Sequence, residues 1–196
     1  MQPIMSVVIG DTTPMDFEKE YQNACNKPTD MHEHLPWISE ITSRCKHATE
    51  FGVGYAQSTR GFLRHDIEMH SYDINVYPET DAYFKAAIAG GRNVTLHVQS
   101  TLEADIAPTD VLLIDSYHSY DQVVQELALH AHKVKKYIFF HDTTLFGDWG
   151  QGTDAQKNIF ERGVWPAIDE FLSSHPEWQL VERRINCNGM TLIERK

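Results

Sequence analysis

The sequence predicts an α/β fold, a doubly wound and mostly parallel sheet preceded by a helical N-terminal cap. Three observations predict it. From His47 onward, short apolar runs alternate with stretches that carry apolar residues at helical spacing. The runs Val111–Ile114 and Tyr137–Phe140 are apolar on both faces, as strands are when helices cover both sides of a sheet. Beyond them, two strand-like runs meet through Asn186-Cys187-Asn188-Gly189, a turn signal that closes the sheet with an antiparallel hairpin.

Taken in order, Asp16–Ala24 and Leu35–Ile41 read as helices, the second with Pro36 in its first turn and Leu35, Ile38 and Ile41 on one face. They place a cap over residues 1–45 and the sheet over 46–196. Strands follow at Ala48–Phe51, Met69–Ile74, Val94–Val98, Val111–Ile114 and Tyr137–Phe140, with helices at Gln57–Leu63, Glu79–Ala89 and Tyr120–His132 between them. Gly90-Gly91 stops the second of these helices. The third opens on a capping box, Ser119 with Gln122, and presents Tyr120, Val123, Val124, Leu127, Ala128 and Ala131 as its apolar face. A helix at Pro166–Leu172 and the runs Trp178–Ile185 and Met190–Glu194 complete the chain.

Charge narrows the function. With 28 acidic against 17 basic residues the 196-residue chain carries a formal charge of −11, which repels phosphate backbones and argues against nucleic acid as a main partner. No apolar run reaches the roughly 20 residues that span a bilayer, so no membrane partner is expected. Met1-Gln2-Pro3-Ile4-Met5 lacks the basic and apolar regions of a secretory signal. Cys25, Cys45 and Cys187 show no metal-type spacing, and together these readings point to a reduced, cytoplasmic setting. His32-Glu33-His34 and His130-Ala131-His132 look like metal pairs but read as solvated surface, and Trp165 and Trp178 read as core or interface anchors. An exposed cap helix could pair two copies into a homodimer.

In such a sheet the ligand lies beyond the carboxyl ends of the strands, where strand order reverses. The first strand runs into Glu50-Phe51-Gly52-Val53-Gly54, whose glycines let the backbone approach a ligand or simply turn tightly. The third glycine of a dinucleotide pattern is missing, and the acid before the first glycine suits an ammonium group rather than a pyrophosphate. Asp73, about 20 residues on, is placed to accept from ribose hydroxyls or to be a solvated loop acid. Gln99-Ser100-Thr101 offers polar groups to an adenine edge. The fourth and fifth strands end in Asp115-Ser116-Tyr117-His118 and His141-Asp142. If neighbouring strand ends bring Asp115 and Asp142 together, their charges require a proton or a cation between them, and Mg²⁺ or Mn²⁺ with His141 as an added ligand meets that need. His118 is a candidate general base.

These segments resemble class I S-adenosylmethionine-dependent methyltransferases, in particular a small subgroup with an Asp-x-x-His-x-Tyr motif after the fourth strand and a His-Asp pair after the fifth. Gly163-Val164-Trp165-Pro166-Ala167-Ile168 and Asn188-Gly189-Met190-Thr191-Leu192-Ile193 also resemble it, and the likeness covers about residues 46–195. The resemblance implies a Rossmann-like seven-stranded sheet with its last strand antiparallel. It implies that Glu50, Gly52, Gly54 and Ser58 contact the methionine end of S-adenosyl-L-methionine, Asp73 the ribose, and Ser100 and Thr101 the adenine. Asp115 and Asp142 match places where related enzymes hold a divalent cation, and His118 falls where a base takes the acceptor's proton. Two departures stand out: His141 replaces the first acid of a pair, and Val134-Lys135-Lys136 stands in place of a Pro-Gly-Gly loop. The implied activity is O-methylation of a small hydroxylated acceptor, a sugar or a secondary metabolite. Leu145–Gly152 is then a lid or a plain surface loop. The rivals are an NAD-dependent oxidoreductase and a cofactor-binding module without catalysis.

Overall fold

The structure, a computed structural model, describes residues 14–196, so the reading of Met1–Met5 and the start of the cap lie outside the described residues. The elements are α1 (Phe17–Cys25), α2 (Leu35–Thr42), β1 (His47–Phe51), α3 (Gln57–Leu63), β2 (Glu68–Asp73), α4 (Pro78–Ala89), β3 (Val94–Val98), β4 (Thr109–Ile114), α5 (Tyr120–His130), β5 (Val134–His141), α6 (Val164–Ser174), β6 (Trp178–Arg184) and β7 (Met190–Arg195). The seven strands form one sheet in the order β3-β2-β1-β4-β5-β7-β6. β1 to β5 pair in parallel, and β7 runs antiparallel to both β5 and β6. The expected Rossmann-like architecture is therefore the observed one.

Each face of the sheet buries its own apolar layer. One joins α1 to α4 with Ala48, Met69, Val111, Leu113 and Phe139; the other joins α5 and α6 with Phe51, Leu112, Ile114, Ile138 and Phe140. The alternation along β4 and β5 explains why both strands are apolar throughout. Trp178 is buried in the second layer and Trp165 packs against it. Tyr21, Leu35, Trp37, Ile38 and Ile41 of the first two helices share the first layer with Phe62 and Leu63 of α3.

Two sequence readings shift. Val134-Lys135-Lys136 is not a loop before the fifth strand but its first three residues, preceded by a 3₁₀ turn at Ala131–Lys133. On α5 the buried stripe is Val123, Glu126, Leu127 and His130, while Val124 and Ala128 are exposed. Hydrophobicity placed the stripe one step too far round, because two of its four members are polar. Among the described residues no helix is long and apolar enough to cross a membrane.

Candidate active site

Strand order reverses between β1 and β4, and a cavity of about 570 Å³ opens over the carboxyl ends of the strands there. Gly52, Gly54, Ser58, Asp73, Ser100 and Thr101 line one part of it, and Asp115, His118, His141 and Asp142 another. The turn after β1 is held from both sides. Gly52 N donates to the Tyr72 carbonyl at 2.9 Å, and Asp115 N donates to the Phe51 carbonyl at 2.8 Å. Gly52 sits at φ +78°, and a Cβ there would lie 1.9 Å from the Asp115 carbonyl oxygen, so only glycine allows β1 and β4 to close at this point. The second glycine, Gly54, is also left-handed at φ +49°.

Asp73 does more than face the cavity. Its Oδ2 accepts from Val53 N (2.8 Å) and Gly54 N (3.1 Å), and its Oδ1 accepts from Asn75 N (2.9 Å), so one carboxylate shapes the glycine turn. Glu50 is set one layer back, fully buried behind Ser58 and absent from the cavity lining. It accepts from Ser58 Oγ (2.5 Å), Ser71 Oγ (2.8 Å) and Thr59 Oγ1 (2.9 Å). Burial pushes its carboxyl up to about 7, against the pull of those three hydroxyls.

The strand ends of β4 and β5 meet in register, Ile114 opposite Phe140, which brings the next residues together. His118 Nε2 lies 3.1 Å from Asp115 Oδ1 and 3.1 Å from Asp142 Oδ2, and His141 Nδ1 lies 3.1 Å from the same Asp115 Oδ1. The outer nitrogens are already committed. His118 Nδ1 donates to Gln151 Oε1 at 2.9 Å, and His141 Nε2 donates to the carbonyls of Asp30 (3.0 Å) and Cys187 (3.2 Å). Each inner nitrogen therefore faces a carboxylate and must carry a proton or give its lone pair to a cation. Burial alone would lift Asp115, but the charge of His141 and hydrogen bonds from both rings hold it down at about 2. For His141, burial is outweighed by the Asp115 charge, which lifts it to about 9. The same balance raises His118. Asp142 is raised by its burial, stands at φ 56°, and keeps a buried Oδ1 without a hydrogen-bond partner.

Four further side chains stand where the sequence reading did not place them. Gln151 lies in the segment after β5, which is tied to His118 by the Gln151 N to His118 O bond (2.8 Å) and by Phe146 stacked on the imidazole at 5.1 Å. Its glycines and aromatics were legible; its grip on His118 depends on the tertiary fold. Glu126 is fully buried, and its Oε1 accepts from Ser116 Oγ (2.5 Å), Thr101 Oγ1 (2.6 Å) and Gln122 Nε2 (2.9 Å), three cavity-lining residues. Its Oε2 has no partner, and burial raises its carboxyl despite those donors. His34 and His130, expected on a solvated surface, are both buried. His34 Nε2 reaches the Asn186 carbonyl at 3.1 Å, and burial, followed by the charge of nearby His141, lowers the ring to about 4. His130 Nε2 reaches the Thr101 carbonyl at 2.8 Å. A buried histidine is stable where a carbonyl receives its N–H, and that partner is invisible in local sequence.

The donors also bear on a metal. Asp115, His118 and Asp142 each bring a ligand atom within 4.8 Å of the others, and His141, spent on carbonyls and on Asp115, is not in that group. A set of two carboxylates and an imidazole fits a first-row transition ion such as Mn²⁺ better than Mg²⁺, which prefers oxygen ligands and water.

No family model matches the chain, and no curated protein matches it. Solved structures do. A Burkholderia thailandensis 1,6-didemethyltoxoflavin N1-methyltransferase, with bound 1,6-didemethyltoxoflavin and S-adenosylhomocysteine, is 14% identical with a TM-score of 0.64, over 92% of this chain and 86% of that one. The magnesium protoporphyrin IX methyltransferase of Synechocystis with bound S-adenosylhomocysteine is 10% identical with a TM-score of 0.62, over 91% of this chain and 94% of that one. A Podospora anserina methyltransferase, also bound to S-adenosylhomocysteine, is 15% identical with a TM-score of 0.59, over 94% and 89% of the two chains. At these identities the likeness is one of architecture: the chain has the Rossmann-like fold of these methyltransferases.

Proposed function

We propose that this chain transfers the methyl group of S-adenosyl-L-methionine to a hydroxyl of a small acceptor, a sugar or a secondary metabolite. The observation that carries the reading is one cavity that joins the Gly52–Gly54 turn and Asp73 to the Asp115, His118, His141 and Asp142 cluster. The cofactor supplies a methyl group on a sulfonium, already a good leaving group, so the protein has only to align the acceptor and take up a proton. Asp73 stiffens the glycine turn and leaves its carboxylate toward the ribose, and Ser100 and Thr101 flank the base. Asp115 and Asp142 supply negative charge beside the donor's positive charge.

His118 is the base. In its deprotonated state its Nε2 receives the acceptor's hydroxyl proton as the oxygen takes the methyl group, and Gln151 holds the ring in that tautomer. The neighbouring carboxylates then stabilise the imidazolium until water removes the proton. If a divalent ion takes the place of the cluster's protons, Asp115, His118 and Asp142 would hold it, and it would lower the pKa of an acceptor hydroxyl. Calorimetry with S-adenosyl-L-methionine and with NAD, followed by methyl transfer to a panel of hydroxylated compounds, tests the proposal. Binding of NAD alone would make the chain an oxidoreductase. Cofactor binding with no methylated product would make it a binding module.

A further inference from the structure

The connection from β3 to β4, residues 99–108, contains no helix. Ala104 and Ile106 cover the sheet near its carboxyl end, against Tyr72 and Phe51. On the same face His47 opens β1, His70 lies two residues into β2, and His97 of β3 stacks beside His70, all three partly exposed. The parallel register explains why they meet. His47 stands opposite Glu68, and His70 follows two residues later on the same face. Glu68 Oε1 lies 3.5 Å from His47 Nε2 and 3.4 Å from His70 Nε2. All three ligand atoms fall within 4.8 Å of one another.

The outer nitrogens of both rings have partners of their own. His47 Nδ1 lies 3.2 Å from Thr109 Oγ1 and His70 Nδ1 lies 3.0 Å from His97 Nε2. A neutral ring that donates from Nδ1 keeps the Nε2 lone pair free, and this outer support is what metal-binding histidines use. In a tetrahedral zinc site with bonds of about 2.0–2.1 Å, ligand atoms sit roughly 3.3 Å apart, close to both separations here. The two rings lie 16° from parallel with centroids 5.4 Å apart, so sharing one ion requires a turn about χ2, a broad torsion.

We propose that His47, Glu68 and His70 form a Zn²⁺-class site at the end of the sheet opposite the candidate active site, with its fourth position open to water. The side chains are 16%, 48% and 26% exposed, enough for entry of an ion and a water. An ion there ties β1 to β2, the two strands whose other ends carry the glycine turn and Asp73, and it stabilises the folded state by mass action. The choice of zinc over magnesium follows from two nitrogen ligands and one carboxylate.

The test is a Zn²⁺ titration of the chelator-stripped full chain carrying Asp142→Asn, which takes a carboxylate out of the group at the candidate active site; a third group, His32, Glu33 and Cys187, is probed by adding Cys187→Ser. The expected result is one zinc per chain with a rise in Tm. His47→Gln, His70→Gln and Glu68→Gln should each weaken uptake at least about tenfold. Glu68 is exposed at the surface, so its variant should keep the metal-free Tm and decides the matter if a histidine variant fails to fold. No zinc uptake, uptake unchanged in Glu68→Gln, or uptake lost instead in Cys187→Ser would overturn the proposal.

Discussion

Asp115 Oδ1 is approached by two imidazole nitrogens, each at 3.1 Å. Asparagine in its place would keep the shape but remove the charge that both rings lean on. We expect Asp115→Asn to lose turnover by about 100-fold or more while S-adenosylhomocysteine affinity in calorimetry stays within about twofold. The raised His118 sets the pH profile. Its base form gains population as pH rises, so kcat should climb through a pKa above the usual imidazole value, and His118→Gln should erase that limb. Glu126→Ala leaves Ser116, Thr101 and Gln122 without their common acceptor, at a cost of about 1–3 kcal/mol in denaturant unfolding, together with weaker cofactor binding. At this scale Asp115, His118, His141 and Asp142 were legible, because polar residues directly after apolar strands announce themselves. His34, Glu126 and Gln151 were not, since each is defined by partners distant in the chain or hidden on an unexpected face.

At the level of elements, the limits of β3 and α3 could be read from sequence to the residue, and those of the other strands to within three. Apolar runs flanked by glycine or polar turns leave little choice of boundary. The buried face of α5 was less readable, because Glu126 and His130 are paid for by hydrogen bonds rather than hydrophobicity. The turn between β1 and α3 gives a sharper test. Gly52→Ala must push a methyl group into the Asp115 carbonyl from a left-handed backbone, so either β1 and β4 separate or the turn rebuilds. A loss of more than about 2 kcal/mol is expected in urea unfolding, with cofactor affinity falling alongside.

For the whole molecule, the cluster couples stability to pH with a definite sign. His141 stands at about 9, above its ordinary 6.5, so its contribution is full below about pH 6.5 and is lost as pH rises through 9. Asp115 stands at about 2, below its ordinary 3.8, so its contribution is full above about pH 3.8 and is lost as pH falls through 2. With chelator present, the urea midpoint should decline as pH rises from about 6.5 to 9, and Asp115→Asn should flatten that decline. The ladder that sets Phe51 beside Ile114 and Ile114 beside Phe140 lines up three strand ends side by side. On the proposed reading, rewriting the segment after β5 would change the acceptor side and leave the donor half intact, as a lathe keeps its chuck when the tool is changed.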